Sequence, residues 1–81
     1  MYIVYVLKSL KDFGYYIGQT ENLDKRLKKH TNRQVKSTKN RIPFVVIKNE
    51  KFNNRSEAMK REYYLKSLKG GNEFKKIIGI N

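Results

Sequence analysis

Short runs of β-branched and aromatic residues alternate with polar, basic segments along this chain. Residues 2–7 contain no polar side chain other than tyrosine, which predicts a strand buried on both faces. A polar connection ends at Gly14, and residues 15–19 then predict a second strand antiparallel to the first. Residues 44–47, which follow Pro43, predict a third strand.

One helix is predicted between the second and third strands. Asn22 is suited to cap a helix over residues 23–31, in which Leu23 and Leu27 would supply the core contacts. Residues 32–42 are polar and basic without periodicity, so we expect an exposed loop there.

Two further helices are predicted after the third strand. Asn54, with a glutamate three residues on, is a variant of the capping box and opens a helix over residues 55–69. Gly70-Gly71 is expected to end it in the left-handed conformation, and Asn72 to cap a last helix over residues 73–78. The prediction is an α+β fold of order β-β-α-β-α-α, in which a small three-stranded antiparallel sheet is flanked by helices.

Length and composition narrow the class of protein. With 81 residues and no cysteine, the chain is expected to form a single domain over residues 1–81 without a disulfide framework or a thiolate zinc site. Its apolar runs are far shorter than the roughly 20 residues of a spanning helix, and the N-terminus lacks a signal-peptide pattern. We therefore expect a cytoplasmic protein that forms a monomer or a weak dimer.

The net charge of the chain indicates which class of partner it binds. There are 19 lysine and arginine residues against 7 acidic ones, a formal net charge of +12. Such a charge attracts polyanions, of which nucleic acid is the commonest in a cell. An anionic membrane surface is the competing partner, but no segment has the pattern of a basic amphipathic helix with a broad apolar face.

Glu62 is the clearest anomaly in this pattern. At helical spacing it falls within the stripe marked by Ala58 and Leu65, which is predicted to be buried. An inward carboxylate is costly unless it is paired or bound to a cation. An internal salt bridge is one interpretation, and a metal ligand or acid-base group at the edge of a cleft is the other.

A second polar set lies on the first helix and the strands. Arg26 and His30 are four residues apart and share a helix face that borders the leucine stripe. His30 suits either a hydrogen-bonded packing role or proton transfer, and an adjacent Arg26 favours phosphodiester chemistry. Tyr5 and Tyr16 lie on adjacent predicted strands, where tyrosine commonly serves packing alone.

Taken in chain order, these residues resemble the signature residues of the GIY-YIG endonuclease superfamily. The residues that carry the resemblance are Ile3-Val4-Tyr5, Tyr16-Ile17-Gly18, Arg26, His30 and Glu62. Ile3 stands where the signature has its first glycine. The chain is most similar to small stand-alone bacterial proteins related to the nuclease domain of the bacterial excinuclease, and the loop over residues 36–43 is typical of that group.

The resemblance implies an endonuclease that hydrolyses DNA phosphodiesters with one divalent cation, Mg²⁺ or Mn²⁺, held by Glu62. It implies that Arg26 clamps the phosphate, and that Tyr5 or Tyr16 accepts a proton from the attacking water with His30 as a relay. DNA is favoured over RNA, and cleavage selective for DNA structure in repair or processing is expected. The loop residues expected to contact the nucleic-acid backbone are Lys36, Ser37, Thr38, Lys39 and Arg41.

Two other functions fit the same sequence. One is a non-catalytic, basic nucleic-acid-binding module that keeps the nuclease scaffold, an interpretation motivated by the lack of an appended targeting domain. For the nuclease, specificity is expected from structure-selective cleavage or from a protein partner. The other is a small ribosome-associated basic protein. Asn72 is a further candidate for the site, although its position also suits a helix cap.

Overall fold

The computed structural model describes residues 1–79, and these form three strands and three helices in the predicted order. The elements are β1 Tyr2–Ser9, β2 Tyr15–Thr20, α1 Leu23–Thr31, β3 Phe44–Phe52, α2 Arg55–Ser67 and α3 Asn72–Ile77. The strands make one antiparallel sheet in the order β2-β1-β3. The predicted α+β class is therefore confirmed.

The central strand β1 is buried on both faces, as predicted. Val4 and Val6 belong to a core cluster that includes side chains of α2 and α3. Tyr5 and Leu7 alternate onto the opposite face and are also fully buried. Burying one such aliphatic side chain contributes roughly 1.5–3 kcal/mol, so β1 anchors both layers of the protein.

The third strand is much longer than the four residues predicted. It continues to Phe52, which pairs with Tyr2, so β1 has a partner along its whole length. The polar residues 48–51 interrupt the hydrophobic pattern, so the extension was not predicted. An edge strand keeps one long side open to water, so polar residues are tolerated there once the neighbouring strand provides the backbone hydrogen bonds.

The predicted N-caps of α1 and α2 are confirmed. The side-chain oxygen of Asn22 accepts a hydrogen bond from the amide of Lys25 at 3.0 Å, and that of Asn54 accepts one from the amide of Glu57 at 2.9 Å. On α1, however, the residue that is buried is His30, while the two leucines are only half-buried. The most buried side chain of α1 is therefore the His30 imidazole ring, whereas leucine side chains were expected in that position.

The turn between α2 and α3 differs from the prediction. Helix α2 ends at Ser67 rather than at residue 69, and Lys69 is the first residue in the left-handed conformation, with φ 50°. Gly71 is extended and occupies the cap position of α3, so the prediction that Asn72 caps that helix was wrong. Within residues 1–79, no helix is both long and apolar enough to cross a membrane.

Candidate active site

A glycine on β2 lets a tyrosine of β1 reach the edge of the sheet. Tyr5 lies directly opposite Gly18 in the strand pairing. A Cβ atom on Gly18 would lie 2.7 Å from the Tyr5 hydroxyl oxygen and 2.9 Å from its Cζ atom, which are distances that real Cβ atoms do not show. The tyrosine ring therefore crosses over the glycine, and its hydroxyl group lies above the edge strand β2.

Two side chains of α1 converge on the Tyr5 hydroxyl group. Arg26 Nε donates a hydrogen bond to this oxygen at 3.2 Å, and His30 Nε2 lies 3.0 Å from it. The helix face that Arg26 and His30 were predicted to share is therefore the face of α1 that contacts β1. Tyr5 and His30 are both fully buried, which holds this geometry in place.

A residue of the following loop orients the histidine. His30 Nδ1 lies 2.8 Å from the Thr38 hydroxyl oxygen, and that hydroxyl group donates to the Val35 carbonyl at 3.4 Å. Arg26 only donates to the Tyr5 oxygen, so the Tyr5 hydroxyl proton is available to His30 Nε2. We therefore assign the proton of the neutral ring to Nδ1, which donates to the Thr38 oxygen while the Thr38 hydroxyl proton turns toward the Val35 carbonyl.

The surroundings favour neutral Tyr5 and neutral His30. Burial raises the pKa of the Tyr5 phenol, the Arg26 hydrogen bond opposes this, and the negative charge of Glu62 adds to the rise. Burial lowers the pKa of His30, and the positive charge of Arg26 lowers it further. The pKa of Arg26 is raised, chiefly by its hydrogen bond to Tyr5. The imidazole is therefore available as a proton acceptor at neutral pH.

Tyr16 connects this buried network to the surface. Its ring centroid lies 5.1 Å from that of His30 in an edge-on arrangement and 6.2 Å from that of Tyr5. Unlike those two residues it is only half-buried. Tyr5 therefore lies in the interior of the candidate site, and Tyr16 lies at the mouth of the site, where it opens to the surface.

Glu62 reaches the same edge of the sheet from α2. Gln19 of β2 donates a hydrogen bond from Nε2 to Glu62 Oε1 at 3.1 Å, and Lys66 Nζ donates to Oε2 at 2.6 Å. The Glu62 side chain is 13% exposed, which confirms that it faces inward. Its partner Lys66 is 50% exposed and lies one helical turn on, so the salt bridge predicted as one interpretation is present but is not internal.

The donor set around Glu62 limits what cation it could hold. Within residues 1–79, no three histidine, cysteine or acidic side chains are grouped as a metal site would require. Mg²⁺ is commonly bound through one or two carboxylates together with waters and substrate phosphates. A single carboxylate fits that mode when the substrate supplies the phosphate. The Lys66 side chain is half-exposed, so water can solvate its ammonium group if a cation takes its place on Glu62.

Only some of the loop residues that were expected to contact nucleic acid are exposed. Lys36, Ser37 and Lys39 are exposed, as predicted. Thr38 is fully buried with its hydroxyl group against His30, so the expectation that it lies on an exposed loop and touches the backbone of a nucleic acid was wrong.

Arg41 is also engaged within the protein. Its Nε atom lies 2.7 Å from Asp12 Oδ2, and its carbonyl oxygen accepts a hydrogen bond from the Ser9 hydroxyl group at 2.6 Å. These contacts tie the loop before β3 to the β1–β2 turn. The predicted role of Arg41 in contacting a nucleic-acid backbone is at odds with this pairing, because its guanidinium group is committed to a carboxylate.

Two residues of the site, Gln19 and Lys66, were not anticipated. Two others, Gly18 and Thr38, were named from the sequence but not in the roles that the structure gives them. For Gly18 a signal exists, since a glycine inside a strand indicates a close approach by another group. Gln19 and Lys66 could have been found from strand alternation and helical spacing. No local pattern marks Thr38, because its partner lies on another element.

Comparisons with known proteins bear on the family and on the fold. The family model described as the GIY-YIG catalytic domain matches residues 1–75. A UPF0213 protein of Clostridium perfringens is 46% identical over 69 residues, which cover 84% of this chain and 73% of that protein. A UPF0213 protein of Staphylococcus saprophyticus is 39% identical over 75 residues, covering 91% and 90% of the two chains. The solution NMR structure of a UPF0213 protein from Bacillus halodurans superimposes with a TM-score of 0.51 at 35% identity, over 94% of each chain.

Proposed function

Since this chain belongs to the GIY-YIG family, a nuclease family, we propose that it is an endonuclease that hydrolyses DNA phosphodiester bonds with one divalent cation, Mg²⁺ or Mn²⁺. The observation that carries the proposal is the convergence of Arg26 and His30 on the Tyr5 hydroxyl oxygen, at 3.2 Å and 3.0 Å. A purely structural tyrosine needs one partner for its hydroxyl group, whereas this one has a cation on one side and a proton acceptor on the other.

Tyr5 is the proton-accepting group in this proposal. As water attacks phosphorus, its proton passes to the Tyr5 oxygen while the phenol proton passes to His30 Nε2, so the phenol stays neutral overall. A bond forms between the water oxygen and phosphorus, the bond to the leaving oxygen breaks, and that oxygen takes a proton from solvent. Thr38 holds His30 in the tautomer that can accept.

Arg26 has two positions in the proposed cycle. In the free protein its Nε–H group bonds to Tyr5, which is fully buried. When a substrate phosphate is present, the guanidinium group turns to clamp a non-bridging oxygen. This movement frees a lone pair of the Tyr5 oxygen for the attacking water. Tyr16, at the mouth of the site, orients that water.

Glu62 would hold the divalent cation together with the scissile phosphate after Lys66 has moved away. When bound, such a cation neutralises charge that develops on the phosphate and the leaving oxygen. Gln19 keeps the carboxylate at the edge of β2 through its bond to Oε1. The exposed Lys36, Ser37 and Lys39 follow the DNA backbone by charge and hydrogen bonding, so selectivity for DNA structure, or a protein partner, would replace sequence reading in repair or processing.

The test is cleavage of labelled branched, nicked and duplex DNA in Mg²⁺ or Mn²⁺. We expect cleavage that stops when the metal is chelated and when Glu62→Gln is introduced. Glu57→Gln is the matched control, because Glu57 is an exposed glutamate on the same helix. Cleavage that survives Glu62→Gln would overturn the proposed mechanism.

A non-catalytic DNA-binding module is the second candidate. The contact that favours it is the Lys66 ammonium group on Glu62, at 2.6 Å, because it supplies the carboxylate with a cation from within the protein. Salt-dependent DNA binding, no cleavage of any of these substrates and no change of melting temperature with Mg²⁺ or Mn²⁺ would establish this function instead.

A further inference from the structure

A groove of about 410 Å³ runs beside the site, between β2 and the turn that joins α2 to α3. Two tyrosines, two lysines and two apolar residues of its lining bear on what it could bind. These are Tyr15, Tyr16, Lys66, Lys69, Leu65 and Phe74. We propose that this groove binds one unpaired nucleotide of the DNA strand next to the scissile phosphate, an inference that rests on the proposed function.

The groove is continuous with the proposed site. Tyr16 lines it and also contacts His30, with 5.1 Å between the ring centroids. Lys66 lines it as well and bonds to Glu62. A strand whose phosphate lies between Arg26 and Glu62 therefore meets the groove at its next nucleotide.

The chemistry of the lining suits a nucleotide. Tyr15 offers the aromatic wall, on the same side of β2 as Phe74, with 5.1 Å between the ring centroids. Tyr16, the next residue of the strand, borders the groove from the opposite face of the sheet, and the buried Leu65 and Phe74 form an apolar floor. Two exposed lysines, Lys66 and Lys69, lie on the opposite side. Aromatic rings take the flat face of a base, and ammonium groups take its phosphate. The volume lies within the range of about 300–1,000 Å³ that small-molecule sites occupy.

An unpaired nucleotide fits this lining better than a duplex does. In a duplex each base has both faces covered by its neighbours, so no face is free to lie on a tyrosine. A duplex would meet only the lysines, by charge. The groove thus predicts a preference for DNA with a flap, a gap or a free strand beside the cleaved bond.

Lys69 allows the groove to be altered without harm to the fold. It has a φ of 50°, in the left-handed region where glycine is favoured. Lys69→Gly removes the ammonium group and suits the backbone, so this variant should fold at least as well as the parent chain. Lys69→Gln removes the charge alone. Lys51→Gln is the matched control, because Lys51 is an exposed lysine on β3, at the far edge of the sheet from β2.

The experiment measures binding of the full chain to fluorescein-labelled dT12 and to a 12-base-pair duplex by anisotropy, in EDTA and at fixed salt. Both Lys69 variants should lose about threefold to tenfold more affinity for dT12 than Lys51→Gln does, and all three should lose similar affinity for the duplex. Equal losses on dT12 in the three variants would overturn the proposal, as would a larger loss on the duplex than on dT12.

A second measurement locates the bound strand. In two-dimensional NMR spectra, dT6 should shift the amides of Ile17 and Gly70, which line the groove. Shifts confined to the lysines of α1 would place the strand elsewhere and reject the groove. Neither measurement contains a metal, so the two proposals are tested separately. If the chain cleaves DNA but does not give these binding results, only the groove proposal is rejected. If it gives these binding results but never cleaves DNA, only the endonuclease proposal is rejected.

Discussion

The hydroxyl oxygen of Tyr5 lies over the backbone of Gly18, at 2.7 Å from the point where a Cβ atom would be. This contact joins the centre of the sheet to its edge. Arg26 and His30 reach the oxygen from α1, and Glu62 comes to the same edge from α2. The absence of a side chain at one position of β2 therefore allows a tyrosine of the central strand to reach the α1 side chains at the edge of the sheet that Glu62 approaches from α2.

Gly18→Ala should damage both stability and the site. The added methyl group would collide with the Tyr5 ring, and such overpacking costs roughly 1–3 kcal/mol. Urea unfolding measures the loss. In a Tyr5→Phe background the substitution should cost less, because the atom at 2.7 Å is gone, while the Tyr5 ring carbon at 2.9 Å and a Tyr16 ring carbon at 3.1 Å remain. Equal costs in the two backgrounds would show that the contact is not the cause.

Tyr5→Phe should lower the rate of DNA cleavage far more than Tyr16→Phe. Loss of a proton-accepting group lowers a rate by roughly 10²–10⁴-fold, whereas loss of an orienting hydroxyl group should cost about tenfold. Single-turnover cleavage of the preferred substrate measures both. If Tyr16→Phe were the more damaging variant, the half-buried tyrosine would be the proton acceptor and the two roles would be reversed.

Thr38→Val should slow cleavage although Thr38 lies away from the surface. The change leaves His30 Nδ1–H without its partner, which costs about 1–3 kcal/mol of stability, and frees the ring to change tautomer. We expect a rate roughly tenfold lower, with Thr38→Ser close to the parent chain.

The nitrogen chemical shifts of the His30 ring separate this positioning role from a merely structural one. They report the tautomer directly, and His30 is the only histidine in the chain. The valine variant should show a loss of the Nδ1–H form. An unchanged tautomer together with an unchanged rate would contradict the role.

The acid limb of the pH–rate profile should have its midpoint below 6.5. Burial and Arg26 lower the pKa of His30 from that ordinary value, so the neutral imidazole persists below pH 6.5. The unfolded chain takes up the proton more readily, so the free energy of unfolding should fall as the pH falls from 6.5 toward the folded pKa. An NMR titration of the His30 ring checks both statements. A midpoint at or above 6.5 would contradict them.

Asp12 should stabilise the fold above pH 4 and cease to do so in acid. The Arg41 guanidinium group and the Gly14 amide lower the pKa of this carboxyl group from 3.8 to about 2. Its contribution is therefore complete above the unfolded pKa and is lost as the pH falls through that interval. Urea unfolding at several pH values should show a flatter acid limb in Asp12→Asn. Arg41→Gln should flatten the limb less, because the Gly14 amide still lowers the pKa of Asp12, and a normal limb in both variants would refute the link.

Local patterns were sufficient for the elements and for most of the candidate site. Residues 2–7, the caps Asn22 and Asn54, and the order of strands and helices all depend on neighbours in sequence, so they could be predicted. The inward position of Glu62 followed from helical spacing alone. The end of β3 at Phe52 could not be predicted, because it depends on pairing with Tyr2 rather than on the polarity of residues 48–51.

The sequence by itself determined which residue types were available, on which elements they lie and which helix face they share. Only the tertiary structure decided that Thr38 pairs with His30 and Arg41 with Asp12, while Lys36 and Lys39 are exposed. The physical reason is that a buried polar group such as the His30 ring must find its hydrogen-bond partners in three dimensions. That requirement is met by residues that are distant in the chain, and no local pattern records which ones will satisfy it.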